Sequence, residues 1–250
     1  MNFAGTMLIL MGLLLLSGTT KLIMAEESSQ ATVTAHCLSW RLNVEANNLR
    51  HWKVVPEECI EYVGTYMLNG DYERDLAAVI EQAVIYARQF SPGEDDGRDA
   101  WVLDVDETAL SNLEYYKTRK FGGELFNQDA FNSWVFSGNS PALTATLELY
   151  QQLIKLGFRV FFITGRDESQ REITQDNLIS QGFTKWDGLI LRSESDHGDS
   201  AVVFKSRKRE ELIKKGYRIW GNGGDQWSDV IGNSVGARVF KLPNPMYFIS

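Results

Sequence analysis

The sequence predicts an α/β fold, a doubly wound, mainly parallel, Rossmann-like sheet with helices on both faces. From about residue 100 onward, short apolar stretches alternate with longer stretches whose apolar residues recur at helical spacing. This alternation is typical of parallel strands that are joined by helices. Two of the apolar stretches lead into aspartates, and open α/β sheets bind their ligands at the ends of such strands. The sequence therefore predicts a polar site at the carboxyl edge of the sheet.

The composition fits one globular domain and argues against a nucleic-acid partner. The chain has 250 residues, 44% of them hydrophobic, which is enough for a full-sized core. Its formal net charge is −8 and its isoelectric point is near 5.0. Because phosphate backbones are bound by clustered lysine and arginine, we expect no nucleic-acid partner.

Residues 1–25 are predicted to be a secretory signal peptide. An apolar run at residues 7–16 is too short to span a bilayer, and small and polar residues follow it up to Ala25. No lysine or arginine precedes the run and Lys21 follows it, so an uncleaved anchor is the alternative. Cleavage would send the mature chain through the secretory pathway, to the cell exterior or the vacuole, without a membrane contact.

The two cysteines of the sequence, Cys37 and Cys59, are expected to form a disulfide. An even pair in a secreted chain favours pairing, and closing such a loop contributes about 3 kcal/mol to stability. Both cysteines precede the acidic motifs, so the bridge would be structural. No neighbouring cluster of histidine and cysteine suggests zinc instead.

Residues 26–99 are predicted to form a helical N-terminal layer on the core, without chemistry of its own. Residues 26–34 are polar and are expected to be disordered. Residues 57–68 and 71–90 carry apolar side chains at helical spacing. The glycine-rich and acidic stretch 91–99 is expected to be a loop.

Residues 100–250 are predicted to form the catalytic domain. Each of its helices is expected to begin or end at a proline or glycine, and each strand is short and apolar. The expected elements are strand 102–105, helix 141–156, strand 159–163, helix 169–181, strand 189–191, helix 201–215, strand 217–220 and strand 237–241.

An insertion at about residues 111–140 interrupts the alternation of strands and helices. We expect it to form a small aromatic cap over the site, with packing of these aromatics onto the core as the alternative. Its aromatic residues are Tyr115, Tyr116, Phe121, Phe126, Phe131, Trp134 and Phe136.

Two aspartates follow the first predicted strand of the sheet. Asp104 and Asp106 lie at the carboxyl end of the stretch 102–105, and Thr108 comes next in the pattern. Residues two apart in a strand point to the same side, so both carboxylates would lie close together. Two anions this close repel each other unless a cation or a shared proton lies between them. The pattern indicates a functional site, and an acidic turn is the alternative.

Three further motifs follow in a fixed order. Thr164 ends the apolar stretch 161–163, and Lys205 lies in the predicted helix near its start. Asp225 and Asp229 form a Gly-Asp-x-x-x-Asp pattern after another predicted strand. Together with the Asp-x-Asp-x-Thr motif, this ordered set resembles the haloacid dehalogenase superfamily.

Three segments narrow that resemblance. They read Asp-Val-Asp-Glu-Thr-Ala-Leu-Ser-Asn at 104–112, Gly-Asp-Gln-Trp-Ser-Asp at 224–229 and Lys-Leu-Pro-Asn-Pro-Met-Tyr-Phe at 241–248. These segments are similar to those of the plant acid phosphatase and vegetative storage protein family, a class B-like acid phosphatase family. The resemblance runs from about Trp40 to the C-terminus, and it implies a haloacid dehalogenase-like fold.

The resemblance implies a role for each motif residue. Asp104 would be the nucleophile that forms an aspartyl-phosphate, and Asp106 would be the general acid and base. Thr164 and Lys205 would bind phosphate oxygens. The acidic cluster favours Mg²⁺, and by resemblance its ligands are the side chains of Asp104 and Asp225 and the backbone carbonyl of Asp106. Asp229 would orient a bound water.

Three neighbouring features carry further expectations. Gly223 and Gly224 precede Asp225 and are expected to make this loop flexible. The basic stretch around residues 205–215 is interpreted as a solvated helix face, with Lys205 as the exception. For Arg166 the sequence leaves three alternatives, which are a contact with phosphate, a contact with the insertion, or neither.

The leading functional prediction is a Mg²⁺-dependent acid phosphatase that acts on small phosphate monoesters. The alternative is a vegetative storage protein with little activity, and the retained Asp104 favours the enzyme. A haloalkanoic acid dehalogenase is a third reading, but it needs neither Asp106 nor a metal cluster. A homodimer remains open as an alternative to a monomer.

Overall fold

The computed structural model describes residues 31–90 and 96–249. The predicted signal peptide, most of the segment that was expected to be disordered, and residues 91–95 lie outside these ranges. Within the described ranges, no helix is long and apolar enough to cross a bilayer.

The sheet has five parallel strands in the order β3-β2-β1-β4-β5, which confirms the predicted fold class. The strand that carries the first acidic motif is therefore central, with one half of the sheet on each side. The strands are β1 (Asp99–Leu103), β2 (Arg159–Asp167), β3 (Gly188–Arg192), β4 (Arg218–Gly224) and β5 (Arg238–Lys241).

The predicted bounds of β1 and β4 are wrong in a way that affects the site. β1 ends at Leu103, so Asp104 and Asp106 lie beyond the strand and the argument from strand periodicity does not apply to them. The backbone N–H of Asp104 still donates to the carbonyl of Gly223 at 3.0 Å, and the chain then turns through bonds to the carbonyl of Val105. β4 runs four residues further than expected and reaches Gly224.

Helices cover both faces of the sheet, and their bounds differ from the predicted ones mostly at the first turn. Residues 57–59 form a short 3₁₀ turn where a helix was expected to begin at residue 57, and residues 168–170 form another where a helix was expected to begin at residue 169. The helices are α1 (residues 31–45), α2 (Ile60–Leu68), α3 (Asp71–Ala87), α4 (Leu113–Lys117), α5 (Gln128–Phe136), α6 (Thr144–Leu156), α7 (Arg171–Ser180), α8 (Ala201–Lys214) and α9 (Trp227–Val230).

Helix α1 was missed by sequence analysis, and its first residues had been expected to be disordered. The side chains that it buries are Cys37, Trp40 and Val44, which are three and four residues apart. This spacing is that of one helical face. The signal was therefore present, but it is short and lies among polar residues.

Successive residues of β1 divide the core between the two faces of the sheet. Trp101 and Leu103 point to the face that carries the N-terminal helices, where the Trp101 ring stacks on Phe240 with ring centroids 5.5 Å apart. Val102 points to the opposite face and packs with Phe204 of α8. Because both faces of β1 are buried, a ligand could reach this strand only at its carboxyl end, at the edge of the sheet.

A disulfide joins Cys37 of α1 to Cys59, as the sequence predicted. Replacing both cysteines with serine should lower the free energy of unfolding by about 3 kcal/mol, because the unfolded chain regains the entropy of the open loop. Urea unfolding of the double variant and of the parent chain, each with and without reductant, measures this. The urea midpoint of the reduced parent should equal that of the variant. If reductant did not change the urea midpoint of the parent, the stabilising role of the disulfide would be contradicted.

Candidate active site

Three buried aspartates meet at the carboxyl edge of the sheet. Asp104 follows β1, Asp225 follows β4, and Asp229 lies in the short helix α9. One carboxylate oxygen from each lies within 4.8 Å of the others. They converge because β1 and β4 are parallel neighbours, and parallel strands end at the same edge.

Lys205 of α8 lies between two of these carboxylates. Its ammonium donates to Oδ1 of Asp104 at 2.7 Å and also to Oδ1 of Asp229. Burial by itself would lower the pKa of Lys205, but the two carboxylates outweigh burial and raise it. The lysine is therefore charged, and it compensates for part of the negative charge of the cluster.

One lysine cannot balance three carboxylates. Burial, followed by the charges of Asp229 and Asp225, raises the pKa of Asp104 well above its usual range despite Lys205. Burial and Asp229 likewise raise the pKa of Asp225 to about 6. Oxygen donors with excess negative charge are what hard divalent cations bind. The donor set of this site therefore fits such a cation.

Asp106 lies beside the cluster but has partners of its own. The guanidinium of Arg166 donates to both of its oxygens, at 2.7 Å from one terminal nitrogen to Oδ1 and 3.1 Å from Nε to Oδ2. The side-chain amide of Asn112 donates to Oδ1 at 2.8 Å. Burial would raise the pKa of Asp106, but Arg166 and Asn112 outweigh burial and lower it. These contacts thus fix the orientation of Asp106 and favour its ionised form.

Thr164 lies in the last part of β2, next to β1 in the sheet, and is fully buried. Its hydroxyl oxygen accepts a hydrogen bond from the backbone N–H of Arg166 at 3.2 Å. Arg166 therefore links Thr164 to Asp106. The sequence left the role of Arg166 open, and no local pattern shows that a residue of β2 pairs with one in the turn after β1.

Residues 20–250 match the sequence profile of the HAD superfamily, subfamily IIIB (acid phosphatase). The chain belongs to this family. The resemblance that the acidic motifs indicated is therefore confirmed.

Relatives of this subfamily IIIB chain include both enzymes and storage proteins. It is 50% identical to Acid phosphatase 1 of Solanum lycopersicum over 213 residues, which cover 85% of this chain and 83% of the relative. It is 40% identical to Vegetative storage protein 1 of Arabidopsis thaliana over 216 residues, 86% of this chain and 79% of the relative. The class C acid phosphatase of Bacillus anthracis shares the fold, with a TM-score of 0.63 at 20% identity, over 76% of this chain and 84% of that one.

The expectation that Gly223 and Gly224 make a flexible loop is wrong for this family member. Both glycines lie in β4, where they pair with Phe240 and Lys241 of β5. A Cβ on Gly224 would lie 2.3 Å from Cβ and Oδ2 of Asp229. Glycine is needed here because the carboxyl side chain of Asp229 packs directly on the strand backbone.

Replacing Gly224 with alanine should lower the free energy of unfolding by about 1–3 kcal/mol, because the added methyl overlaps Asp229. Urea unfolding in EDTA measures this effect without any metal contribution. Gly165→Ala is the matched control, since a Cβ there meets no described atom within 4 Å, and it should change stability by less than about 0.5 kcal/mol. Equal stability of the two variants would contradict the packing role of Gly224.

Glu107 stabilises the turn between Asp106 and Thr108. It is buried and has a left-handed backbone, with φ of 50°. Its carboxylate accepts hydrogen bonds from the backbone and side chain of Asn112 and, at 3.0 Å, from the hydroxyl of Tyr247. Burial, Asp225 and Asp106 raise its pKa to about 8. These contacts compensate for the unusual backbone of the turn.

The basic stretch in α8 is not a uniformly solvated face, contrary to expectation. Arg209, one helical turn after Lys205, is 1% exposed. Its guanidinium donates to the carbonyls of Asp229 and Ile231, both at 2.7 Å. Two basic residues four apart share one helix face, and here that face points inward. Arg209 therefore fixes the backbone that carries Asp229.

The aromatic residues of the insertion mostly pack among themselves and on the rest of the chain. Tyr115 contacts Phe131 edge to face with centroids 5.3 Å apart, and Tyr116 stacks on Tyr247 at 5.0 Å. The indole N–H of Trp134 donates to Oδ1 of Asn112 at 2.8 Å, which connects helix α5 of the insertion to the residue that orients Asp106. Two of the aromatics, Phe126 and Phe136, are more than half exposed.

Proposed function

We propose that this protein is a Mg²⁺-dependent acid phosphatase that hydrolyses small phosphate monoesters. The observation that carries the proposal is the buried cluster of Asp104, Asp225 and Asp229 with Lys205, in a chain that belongs to an acid phosphatase subfamily. Half of the aligned residues are shared with a tomato acid phosphatase, which supports the same activity.

In the proposed reaction, Asp104 attacks the phosphorus atom of the substrate. A bond forms between a carboxylate oxygen and phosphorus while the bond from phosphorus to the leaving alkoxide breaks, which gives an aspartyl-phosphate. For the first transfer Asp106 must carry a proton, which it takes up from the acidic medium and donates to the leaving oxygen. As a carboxylate again, it then takes a proton from the water whose attack breaks the bond between Asp104 and phosphorus. The Arg166 and Asn112 contacts keep Asp106 oriented for both transfers.

The remaining motif residues would neutralise and hold the phosphoryl group. Thr164 would donate to one phosphoryl oxygen, and Lys205 would bind another while it holds Asp104 in place. The side chains of Asp104 and Asp225 and the carbonyl of Asp106 would hold Mg²⁺, with Asp229 orienting a bound water. When bound, Mg²⁺ offsets the negative charge of the carboxylates and of the phosphoryl oxygens.

Storage is the second candidate, since the names of two relatives do not describe enzymes. Vegetative storage protein 1 shares 40% identity, and the Stem 28 kDa glycoprotein of Glycine max shares 42% over 87% of this chain. These names also support the proposal of a signal peptide at residues 1–25 and of a mature protein in the vacuole or cell exterior. The helical layer 26–99, the phosphatase domain 100–250, its cap and a homodimer remain proposals.

Hydrolysis of p-nitrophenyl phosphate by purified residues 26–250 tests the two candidates. If the protein is an enzyme, it should hydrolyse this substrate at acidic pH with Mg²⁺ present. The activity of each fraction from the final chromatography step should be proportional to its concentration of the protein. A preparation that is folded by circular dichroism, binds Mg²⁺ and still does not hydrolyse several phosphate monoesters would favour storage.

A further inference from the structure

The last residues of the chain contact the acidic cluster, although the proposed mechanism does not use them. We call residues 242–249 the C-terminal strap. It begins where β5 ends, with the N–H of Leu242 donating to the carbonyl of Gly224 at 2.9 Å. Leu242, Asn244 and Met246 of the strap are each at most 2% exposed. The strap therefore belongs to the interior of the protein beside the site.

Every polar atom of the Asn244 side chain has a partner. Its amide nitrogen Nδ2 donates to Oδ2 of Asp225 at 2.8 Å, and its Oδ1 accepts from the N–H of Met246 at 2.9 Å. A backbone N–H can only donate, so Oδ1 must face Met246 and Nδ2 must face Asp225. The orientation of this amide is thus set by the backbone of the strap itself.

The hydrogen bonds of Asp225 distinguish its two oxygens. Oδ2 accepts from both Asn244 and the side-chain amide of Gln226, each at 2.8 Å. Oδ1 accepts from the hydroxyl of Thr108 at 3.2 Å. Two amide donors occupy both lone pairs of Oδ2, whereas Oδ1 keeps one lone pair for another partner. Asn244 and Gln226 therefore leave Oδ1 as the oxygen that is able to bind a cation.

Glu45, at the end of α1, holds the backbone of Asn244. Its Oε1 accepts the backbone N–H of Asn244 and its Oε2 accepts the ammonium of Lys241, both at 2.9 Å. Its backbone carbonyl accepts the indole N–H of Trp227 at 3.1 Å. One residue of the N-terminal layer thus fixes both the strap and the start of α9, two residues after Asp225.

We propose that Asn244 is a positioning residue for the metal site: it orients the carboxylate of Asp225 for the cation, and Glu45 holds Asn244 in place. This inference rests on the proposed function, because that function assigns Asp225 as a ligand. Loss of a partner that orients a metal ligand typically weakens metal affinity by about 10–100-fold. Asn244 touches neither the nucleophile nor the acid, so it should act on the cation rather than on the chemical step.

Calorimetric titration of Mg²⁺ into the metal-free mature protein tests the proposal directly. Asn244→Ala should raise the Kd for Mg²⁺ by about 10–100-fold. Its kcat for p-nitrophenyl phosphate at saturating Mg²⁺ should return to within about threefold of the parent, because the ligands themselves remain. A low kcat that no Mg²⁺ concentration restores would overturn the positioning role.

Tyr247→Phe is the matched control. It removes a hydrogen bond between the strap and Glu107 but leaves the bonds to Asp225 and the stacked ring in place. Its Kd for Mg²⁺ should stay within about threefold of the parent. If this variant weakened binding as much as Asn244→Ala, general loosening of the strap would replace our explanation.

Glu45→Gln keeps the proposal testable if Asn244→Ala does not fold. The glutamine retains the size of the side chain but loses the ion pair with Lys241, so it should raise the Kd for Mg²⁺ to a value between those of the parent and Asn244→Ala. An unchanged Kd in Asn244→Ala, or in Glu45→Gln where Asn244→Ala does not fold, would refute the inference alone. A parent protein that binds no Mg²⁺ would instead refute the metal assignment in the proposed function.

Discussion

Replacing Asp104 with asparagine should abolish turnover and leave the fold intact. The amide cannot form the covalent intermediate, so the loss should be several powers of ten, against about 10²–10⁴-fold for a group that only transfers a proton. Steady-state hydrolysis of p-nitrophenyl phosphate, followed down to the background rate, measures this. A variant with more than a tenth of the parent's activity would show that Asp104 is not the nucleophile.

The fold of the Asp104→Asn variant can be checked independently. Its side chain keeps an oxygen for the 2.7 Å bond from Lys205, and the change removes one of three carboxylates that repel one another. Its thermal midpoint in EDTA should therefore be no lower than that of the parent. Asp176→Asn, at an exposed position of α7, is the control for a charge change far from the cluster and should keep full activity.

Chelation should remove activity, and Mg²⁺ should restore it. Without a cation, the charges of Asp104, Asp225 and Asp229 are only partly offset by Lys205. Assays in excess EDTA, followed by addition of Mg²⁺ or Ca²⁺, measure the dependence. Ca²⁺ should substitute poorly, because its larger coordination sphere lets a carboxylate bind through both oxygens and would leave Asp104 with none free. Full activity after exhaustive chelation would refute the metal assignment.

The pKa of Asp225 gives a second expectation for the same site that does not involve activity. Its folded-state pKa of about 6 lies above the value of about 3.9 in an unfolded chain. Between these values the folded state retains a proton that the unfolded chain has lost, so this group's contribution to stability falls as the pH rises from about 4 to about 6. Mg²⁺ should therefore raise the thermal midpoint more at pH 7 than at pH 4.5. An equal rise at both pH values would contradict the coupling.

The sequence was sufficient for the fold class and for the residues of the acidic cluster. A short apolar strand that leads into charged residues can be recognised from neighbouring residues alone. In a parallel sheet, this pattern also predicts that the charged residues meet at the carboxyl edge. Asp104, Asp225 and Asp229 could therefore be grouped although more than a hundred residues separate the first from the others. The cysteine pair was equally direct, because two cysteines allow one bridge.

What the sequence did not reveal depends on contacts between distant segments. The pairing of Arg166 with Asp106 requires the exact turn that follows β1, and that turn depends on Glu107 in a left-handed conformation. The role of Gly224 becomes visible only when Asp229 is seen packed on its backbone. Periodicity describes one segment at a time, so it could place these residues but could not say which of them touch.

The C-terminal strap is synthesised after every residue of the acidic cluster. The chain leaves the ribosome from its N-terminus, so the three aspartates of the cluster and Lys205 emerge before Asn244 does. Domains begin to fold as they emerge. A nascent chain, or one that a premature stop codon ends just before Asn244, would contain every carboxylate of the cluster without the amide that orients Asp225. If Asp225 is a metal ligand as proposed, such a chain would bind its cation weakly, and full metal loading would require the strap to have been synthesised.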